Sequence, residues 1–174
     1  MEKLLEKLFA FSQLQTDKMP FDSVQLDLAT FLQTYVREKS AELADEAILF
    51  QLDVAENLPV EIDPIQFRRI LDNLVDNARK YADVSPLKLA IAGSVQEQEI
   101  IWTFTDNGKG TATDKLNLIF EEFYREDDTR QQVEGHGLGL AIVKNIIERL
   151  GGSVSVEATP GLRFIFSLPR KDIK

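Results

Sequence analysis

A glycine-rich segment in the second half of the chain has the spacing of a phosphate-binding turn. Gly135-His136-Gly137-Leu138-Gly139-Leu140 leads directly into the apolar residues Ala141-Ile142-Val143. Glycine permits positive φ and lets a ligand approach the backbone, and the free N–H groups at the start of a helix bind phosphate. The segment therefore predicts a phosphate site. A flexible loop before a helix is the alternative that this pattern alone leaves open.

A polar stripe on a predicted helix offers a second set of reactive groups. The segment Asp63-Pro64-Ile65-Gln66 is typical of a helix start, with aspartate at the cap and proline at the first helical position. In that helix Asn73, Asn77 and Lys80 project within roughly 60° of one another. Asparagine is a poor helix former, so this stripe favours a function: amide oxygens for a hard cation and an ammonium for phosphate. A solvated helix face is the alternative.

Composition restricts the class of protein. The 174 residues fit one domain, with or without a short appendage, and 44% apolar residues are enough for a core. With a formal charge of −9 the chain has no basic stripe for nucleic acid, so any bound phosphate needs local donors. The lack of cysteine excludes disulfides and thiolate metal sites. No signal peptide or apolar segment of membrane-spanning length is evident, so we expect a soluble chain. A piece of a larger protein would also fit these features.

The hydrophobic pattern predicts alternating helices and strands. Helices are expected at residues 1–15, from Leu28 after a cap at Asp27, at 63–81, and from the glycine segment to Gly151-Gly152; strands are expected at 24–28, 48–54, 59–62, 87–92, 99–105, around 154–156 and at 164–168. The strands at 87–92 and 99–105 form a hairpin around Gly93-Ser94, and residues 111–134 are a long polar loop. This mixture predicts an α+β fold, a two-layer α/β sandwich.

Four segments together resemble the nucleotide-binding boxes of a known family. The segment Asn73–Tyr81 resembles the N box of the ATP-binding domain of sensor histidine kinases, which belong to the Bergerat-fold (GHKL) group with gyrase, Hsp90 and MutL. Residues 106–110 resemble the G1 box, residues 119–125 the F box and residues 135–140 the G2 box, in the family's order. The resemblance covers about residues 22–170. It implies the Bergerat ATP-binding fold, a mixed, mostly antiparallel sheet packed on one layer of helices.

The resemblance implies a site for ATP and Mg²⁺. In the family, N-box asparagines hold Mg²⁺ and through it the triphosphate; here Asn77 is the first choice and Asn73 the second. Lys80 and Tyr81 match positions that reach the phosphates and the nucleotide, and Asn77 and Lys80 are the predicted catalytic residues. Asp106 matches the carboxylate that accepts a hydrogen bond from the adenine amino group, which favours ATP over GTP.

The resemblance also assigns roles around an ATP lid at about residues 111–134. Gly108 and Gly110 let the backbone pass close to the adenine, with a simple turn as the alternative. Phe120 and Phe123 anchor the lid or belong to a small satellite core. The nucleotide contacts expected from the end of the F box are Tyr124 and Arg125.

The G2 box is expected to join the lid to a helix. Gly135 and Gly137 are the predicted pivots, and Gly139 with the first turn of its helix is the predicted seat of the phosphates. Leu138 and Leu140 are included among the nucleotide-binding residues. His136, the only histidine in the chain, is expected to make a weak phosphate contact or none, and its position is a poor one for a phosphate acceptor.

The chain departs from the family pattern at two places. The family's last glycine box carries two glycines and a threonine before an aromatic strand, whereas residues 159–164 read Thr-Pro-Gly-Leu-Arg-Phe, about two residues short. A phosphate role for this turn is therefore in question. Nothing in the chain resembles the His-acidic-Leu-Arg motif of the dimerisation domain, which carries the phosphorylated histidine.

These features predict the catalytic domain of a two-component sensor histidine kinase. It transfers the γ-phosphate of Mg-ATP to a histidine on a dimerisation domain of the same parent, a phosphoprotein, and so serves a response regulator indirectly. Residues 1–21 are interpreted as the end of a dimerisation-domain helix plus linker, and residues 22–174 as the ATP-binding catalytic domain. We expect the fragment to be monomeric and its parent to be a homodimer. An inner-membrane sensor is one form that this parent can take, and the domain is expected on the cytoplasmic side.

Two other functions stay open at this stage. A GHKL-type ATPase would hydrolyse ATP, but those relatives carry a water-activating glutamate where this chain has Asn73, which favours transfer over hydrolysis. The second alternative is a module that binds nucleotide without transferring phosphate, or a serine kinase of the anti-sigma type. Walker and Rossmann patterns do not fit the glycine spacing.

Overall fold

The computed structural model describes residues 2–16, 20–125 and 137–172. Short loops join most of its helices and strands. In chain order the elements are α1 (Glu2–Gln15), β1 (Val24–Asp27), α2 (Leu28–Glu42), β2 (Ile48–Val54), β3 (Pro59–Ile62), α3 (Pro64–Tyr81), β4 (Leu87–Gln96), β5 (Glu99–Asp106), the 3₁₀ segment η1 (Thr113–Phe120), α4 (Gly139–Arg149), β6 (Ser153–Thr159) and β7 (Gly161–Pro169).

Five of the strands form one sheet in the order β2-β4-β5-β7-β6. The β2–β4 pair is parallel and the other three pairs are antiparallel. Strands β1 and β3 form a separate antiparallel pair. The helices cover one face of the large sheet, and on the other face residues such as Leu49 stay 56% exposed. The predicted α+β two-layer sandwich, with a mixed and mostly antiparallel sheet, is therefore confirmed.

Alternation along the central strands places their large apolar residues on the helix-covered face. Trp102 of β5 is opposite Phe166 of β7, and the two rings stack at 4.0 Å between centroids. Phe67 of α3 packs on the same indole at 5.3 Å. All three side chains are fully buried. Because Trp102 is the only tryptophan, its fluorescence reports on the integrity of this core.

Two aspartates begin the long helices, as their sequence contexts predict. The Asp63 carboxylate accepts hydrogen bonds from the N–H groups of Ile65 and Gln66 at 2.9 and 3.1 Å, and Asp27 caps α2 in the same way. The other oxygen of Asp63 accepts a bond from the Asp22 N–H at 2.8 Å. One carboxylate thus starts α3 and fixes the segment that precedes β1.

Two local predictions were wrong in detail. The β4–β5 hairpin turns at residues 97–98, not at Gly93-Ser94, which lie within β4. Gly93 is opposite Trp102, and a Cβ there would lie 3.3 Å from the Leu58 side chain. Glycine at this position makes room for the Leu58 and Val54 side chains, so it marks a packing constraint and not a turn. Residues 113–120 of the predicted loop form η1.

Candidate functional site

A cavity opens between α3, the loop after β5 and the start of α4. The space inside it, counted together with its open mouth, is about 880 Å³. The described residues that line it come from five parts of the chain: Lys7; Asn73, Asp76, Asn77, Lys80 and Tyr81; Lys109, Gly110 and Thr111; Ile119, Tyr124 and Arg125; Gly137, Gly139 and Leu140.

Helix α3 presents two different faces, as its sequence predicts. Its polar arc, including Asn73, Asn77 and Lys80, lines the cavity. Its apolar arc is buried against the sheet and α4, and consists of Ile70, Leu71, Leu74, Val75, Ala78 and the following Ala82. Asp76 also lines the cavity, although the sequence analysis did not select it. It projects about 60° from Asn73, so extending the same helical projection would have found it.

The side chain of Asn73 is held so that its oxygen faces the start of α4. Its amide nitrogen donates a hydrogen bond to the Arg69 carbonyl, one turn back, at 2.9 Å. A Cβ at Gly139 would lie 3.0 Å from Asn73 Oδ1. The missing side chain at Gly139 therefore lets two predicted phosphate-site groups, the Asn73 amide oxygen and the α4 N-terminus, approach each other.

A backbone hydrogen bond joins Phe123, in the predicted lid, to Gly137 just after it. The Phe123 N–H donates a hydrogen bond to the Gly137 carbonyl at 2.8 Å. Both residues have positive φ, 60° and 68°, and a Cβ at Gly137 would lie 2.7 Å from the Phe123 Cα. The predicted pivot at Gly137 thus has the left-handed backbone that favours glycine. Gly135 and His136 lie outside the described residues, so their predicted roles stay predictions.

Asp106 ends β5 on the helix-covered face of the sheet. Its carboxylate oxygen Oδ1 accepts bonds from the Gly108 N–H at 2.8 Å and the Leu162 N–H at 3.4 Å. A Cβ at Gly161 would overlap both its carbonyl and its carboxylate oxygens. The shortened β6–β7 turn, for which the sequence offered no clear role, therefore encloses Asp106. This contact could not be found from the sequence, because 55 residues separate the partners.

Burial dominates the electrostatics of Asp106. The side chain is 5% exposed, and this desolvation raises the pKa of its carboxyl group, although the N–H groups of Gly108 and Leu162 lower it in part. Asp106 does not itself line the cavity, but it lies two residues from Gly108 and four from Gly110, which does.

The two glycines of the G1 box are required by contacts within the protein. A Cβ at Gly108 would lie 2.5 Å from the Ala82 Cα, and one at Gly110, where φ is +67°, would lie 2.6 Å from the Pro160 carbonyl oxygen. Gly110 lines the cavity and Gly108 is buried behind it. The packing explains both glycines as turn residues, and their approach to an adenine stays a prediction.

The F-box residues divide between the core and the cavity. Phe120 packs edge-on against Phe164 of β7 at 6.1 Å, which favours the satellite-core interpretation. Phe123 is 57% exposed. Tyr124 and Arg125 line the cavity, as predicted, together with Ile119. Leu138 is buried beneath the start of α4 and Leu140 reaches the cavity wall.

The described lining carries a local positive charge in an acidic protein. Lys7, Lys80, Lys109 and Arg125 contribute four cations, and Asp76 is the single carboxylate among them. Lys7 and Lys109 were not among the residues selected from the sequence. These side chains supply the local donors that a phosphate ligand needs when the net charge is −9.

The part of the chain described by the structure contains no cluster of three or more His, Cys, Asp or Glu side chains that could hold a metal ion. None of its helices is long and apolar enough to cross a membrane. The amide oxygens of Asn73 and Asn77 are neutral oxygen donors on the α3 wall of the cavity.

Comparison with known proteins identifies the fold that surrounds this cavity. The model of the histidine kinase-, DNA gyrase B- and HSP90-like ATPase family matches residues 62–172, more than half of the chain. The chain belongs to this family. The match includes the four boxes from Asn73 to Leu140, so the resemblance read from them is confirmed.

Sensor kinases are among the proteins to which the chain is similar. The probable sensor kinase SilS of Salmonella typhimurium is 36% identical over 98% of the chain, which spans only 35% of SilS. The catalytic domain of histidine kinase ThkA has a TM-score of 0.72 and 26% identity, and covers 87% of this chain and 97% of its own. Full-length ShkA, solved with AMPPNP, has a TM-score of 0.83 at 24% identity over 98% of this chain and 36% of its own. The chain is thus a histidine kinase ATPase domain.

Proposed function

We propose that this domain binds Mg-ATP in the cavity and transfers the γ-phosphate to a histidine on a dimerisation domain. The observation that supports this best is the meeting of the α3 polar arc with the N-terminus of α4, where Asn73 Oδ1 faces Gly139. Amide oxygens, ammonium groups and free helix N–H groups are the chemistry that a triphosphate requires. The fold similarity to ShkA, which was solved with AMPPNP, is consistent with a nucleotide ligand.

We assign each residue a role in nucleotide binding from the chemistry of its side chain. Lys80 and the N–H groups at the start of α4 bind the phosphates, and Tyr81, Tyr124 and Arg125 contact the nucleotide. Asp106 reads the adenine amino group from the end of β5, where the Gly108 and Leu162 N–H groups orient its carboxylate. These groups position the terminal phosphate and stabilise its charge, which is most of what phosphoryl transfer demands of a protein.

The donors at the cavity fit a magnesium ion that is bound mainly by phosphate. Asn77 and Asn73 offer neutral amide oxygens, and Asp76 lines the same wall. Hard oxygen donors of this kind suit Mg²⁺, which keeps part of its coordination for phosphate and water. Asn77 and Asn73 would hold such an ion, which would supply positive charge to neutralise the phosphates.

Transfer is favoured over hydrolysis at this site. Asn73 occupies the position from which related ATPases activate water, and its amide cannot accept a proton at neutral pH. Asp76 is a carboxylate, but one of its oxygens forms an ion pair with the Arg79 guanidinium at 3.5 Å.

The proposal extends to the parent protein. Residues 1–21 would be the end of a dimerisation-domain helix and a linker, and residues 22–174 the catalytic domain. The acceptor histidine, homodimerisation and delivery to a response regulator would then belong to the remainder of the parent. Because ATP is a cytoplasmic metabolite, the domain would lie on the cytoplasmic side.

A thermal-shift experiment tests nucleotide binding. Mg-ATP should raise the melting temperature in a concentration-dependent way, with about 2.7 kcal/mol of stabilisation at a hundredfold excess over Kd. Asn77→Ala should abolish the shift because it removes the metal-facing amide, whereas Asn117→Ala, an exposed asparagine in η1, should not. No shift of the unsubstituted domain at millimolar Mg-ATP would contradict the proposal.

A reconstitution experiment tests the transfer step. The domain and γ-labelled ATP are mixed with a separate dimerisation domain that carries the acceptor histidine. Acid-labile label on that domain is the expected result. Steady release of phosphate without labelling would instead support an ATPase.

A further inference from the structure

A lysine from outside the ATPase-family match takes part in the cavity wall. Lys7 lies on α1, whereas the family model begins at residue 62. It lines the same cavity as Asn73, Asn77 and Lys80 of α3. None of the four nucleotide-binding boxes contains or predicts this residue.

Packing of α1 on the domain determines where Lys7 lies. Phe11, one turn after Lys7, is only 7% exposed and belongs to the main hydrophobic core, and Leu8 packs against that core. Helix α1 also contacts α4, the helix whose N-terminus faces the cavity. At its far end, the Gln15 side-chain amide donates a hydrogen bond to Glu122 of the F box at 2.7 Å. Lys7 is therefore brought to the cavity by a docked helix.

Positive charge exceeds negative charge around Lys7 among the described residues of the cavity. Partial burial lowers the pKa of Lys7, and the positive charges of Lys80 and Lys3 lower it further, while Asp76 offsets only part of this effect. Two ammonium groups that face one cavity repel each other unless negative charge lies between them. A phosphate chain would supply that charge.

The geometry points to Lys7 as a ligand of the phosphate chain of the bound nucleotide, supplied by α1 and not by the ATPase boxes. This inference rests on the proposed function and deepens it. Because binding and docking are linked, nucleotide should also stabilise the contact of α1 with the domain, and release of α1 should weaken nucleotide binding by the same factor.

The test compares two lysines of the same helix. Isothermal titration measures the Kd for Mg-ATP of the full chain, of Lys7→Gln, of the exposed control Lys3→Gln and of Lys7→Arg. Lys7→Gln should raise Kd about tenfold, the size of one charge-assisted hydrogen bond. Lys3→Gln removes the same charge one turn away and should change Kd less than twofold, and Lys7→Arg should restore most of the affinity.

Unfolding without nucleotide separates ligand binding from a structural role. Lys7→Gln should be at least as stable as the unsubstituted chain in urea, followed by Trp102 fluorescence, because it removes a repelled and partly buried charge. A Kd unchanged in Lys7→Gln, or raised equally in Lys3→Gln, would overturn the inference while leaving the proposed function intact. A loss of affinity that is accompanied by a loss of stability without ATP would also overturn it. If the unsubstituted chain binds no Mg-ATP, the proposed function itself fails.

Discussion

Asp106 shows how one residue connects a strand of the sheet to the turns on either side of it. It ends β5, accepts the N–H groups of Gly108 and Leu162, and is enclosed by Gly161. Burying a carboxylate lowers the stability of the native state unless its charge is paired or hydrogen-bonded. Burial raises the pKa of Asp106, so the charged form of its carboxyl group costs the native state stability.

Asp106→Asn should separate binding from stability. We expect at least tenfold weaker ATP binding, because an amide that still accepts the Gly108 N–H presents its own donor to the adenine amino group. Since the native pKa of Asp106 lies above its ordinary value of 3.8, the unsubstituted protein loses stability as the pH rises from 3.8 through the raised pKa.

Asp106→Asn should not lose stability as the pH rises, because its amide does not ionise. Urea titrations at several pH values between 3.5 and 7, followed by Trp102 fluorescence, should therefore find Asp106→Asn equally stable or more stable at pH 7. Asp114→Asn, an exposed acid in η1, serves as the control for both measurements. Lower stability of Asp106→Asn at pH 7 would show that the carboxylate has a structural role instead.

At the scale of elements, the aspartates that cap α2 and α3 also connect these helices to neighbouring segments. Asp27 caps α2 and its Oδ1 also accepts the Leu58 N–H at 2.7 Å, so one side chain joins α2 to the segment before β3. Burial raises the pKa of Asp27, but bonds from Thr30, Leu58 and Ala29 outweigh it, and the net pKa is lowered. The charged form is the one that the native structure favours.

Asp27→Ala should cost about 1–2 kcal/mol of unfolding free energy at pH 7. Because the native pKa lies below 3.8, the contribution of Asp27 is fully present above that value and is lost as the pH falls through the lowered native pKa. The stability difference from the unsubstituted protein should therefore shrink as the pH falls below 3.8 in urea titrations. Asp45→Ala, an exposed acid in the loop after α2, should show neither effect; a pH-independent difference would contradict the charge-based explanation.

At the scale of the whole molecule, α1 packs as part of the domain and not as a free appendage. Phe11 is 7% exposed and shares the core with the residues of the sheet and of α3 and α4, whereas Phe9 of the same helix is 65% exposed. Buried contacts of this kind make α1 and the sheet one cooperative unit. Residues 1–21 are proposed to belong to the dimerisation domain and its linker. Helix α1 of this segment nevertheless packs on the core of the catalytic domain.

Phe11→Ala should lower the unfolding free energy of the entire domain by about 3 kcal/mol, because a buried ring leaves a cavity. Phe9→Ala is the matched control and should change stability by less than about 0.5 kcal/mol. Both are measured by urea unfolding with Trp102 fluorescence, which reports on the distant sheet. An equal response of the two variants would show that α1 does not pack on the core in solution.

Local sequence determined those features whose causes are local. The two faces of α3 follow from 3.6 residues per turn, and the caps at Asp27 and Asp63 depend on N–H groups two and three residues away. The hydrophobic pattern predicted strands at the positions of β2 and β5 for the same reason. The four boxes in order were enough to identify the family, because each box is a short continuous segment.

Tertiary structure decided whatever depends on partners distant in the chain. Gly93 looked like a turn residue until its cross-strand neighbour Trp102 was known, and Gly161 had no clear role until it was found against Asp106. Lys7 carries no motif at all, and only the docking of α1 brings it to Lys80. The sequence by itself determined the helices, the strands and the nucleotide-binding boxes of this protein, since these rest on contacts within a few residues. Which side chains meet in the cavity depended on packing, which no local pattern encodes.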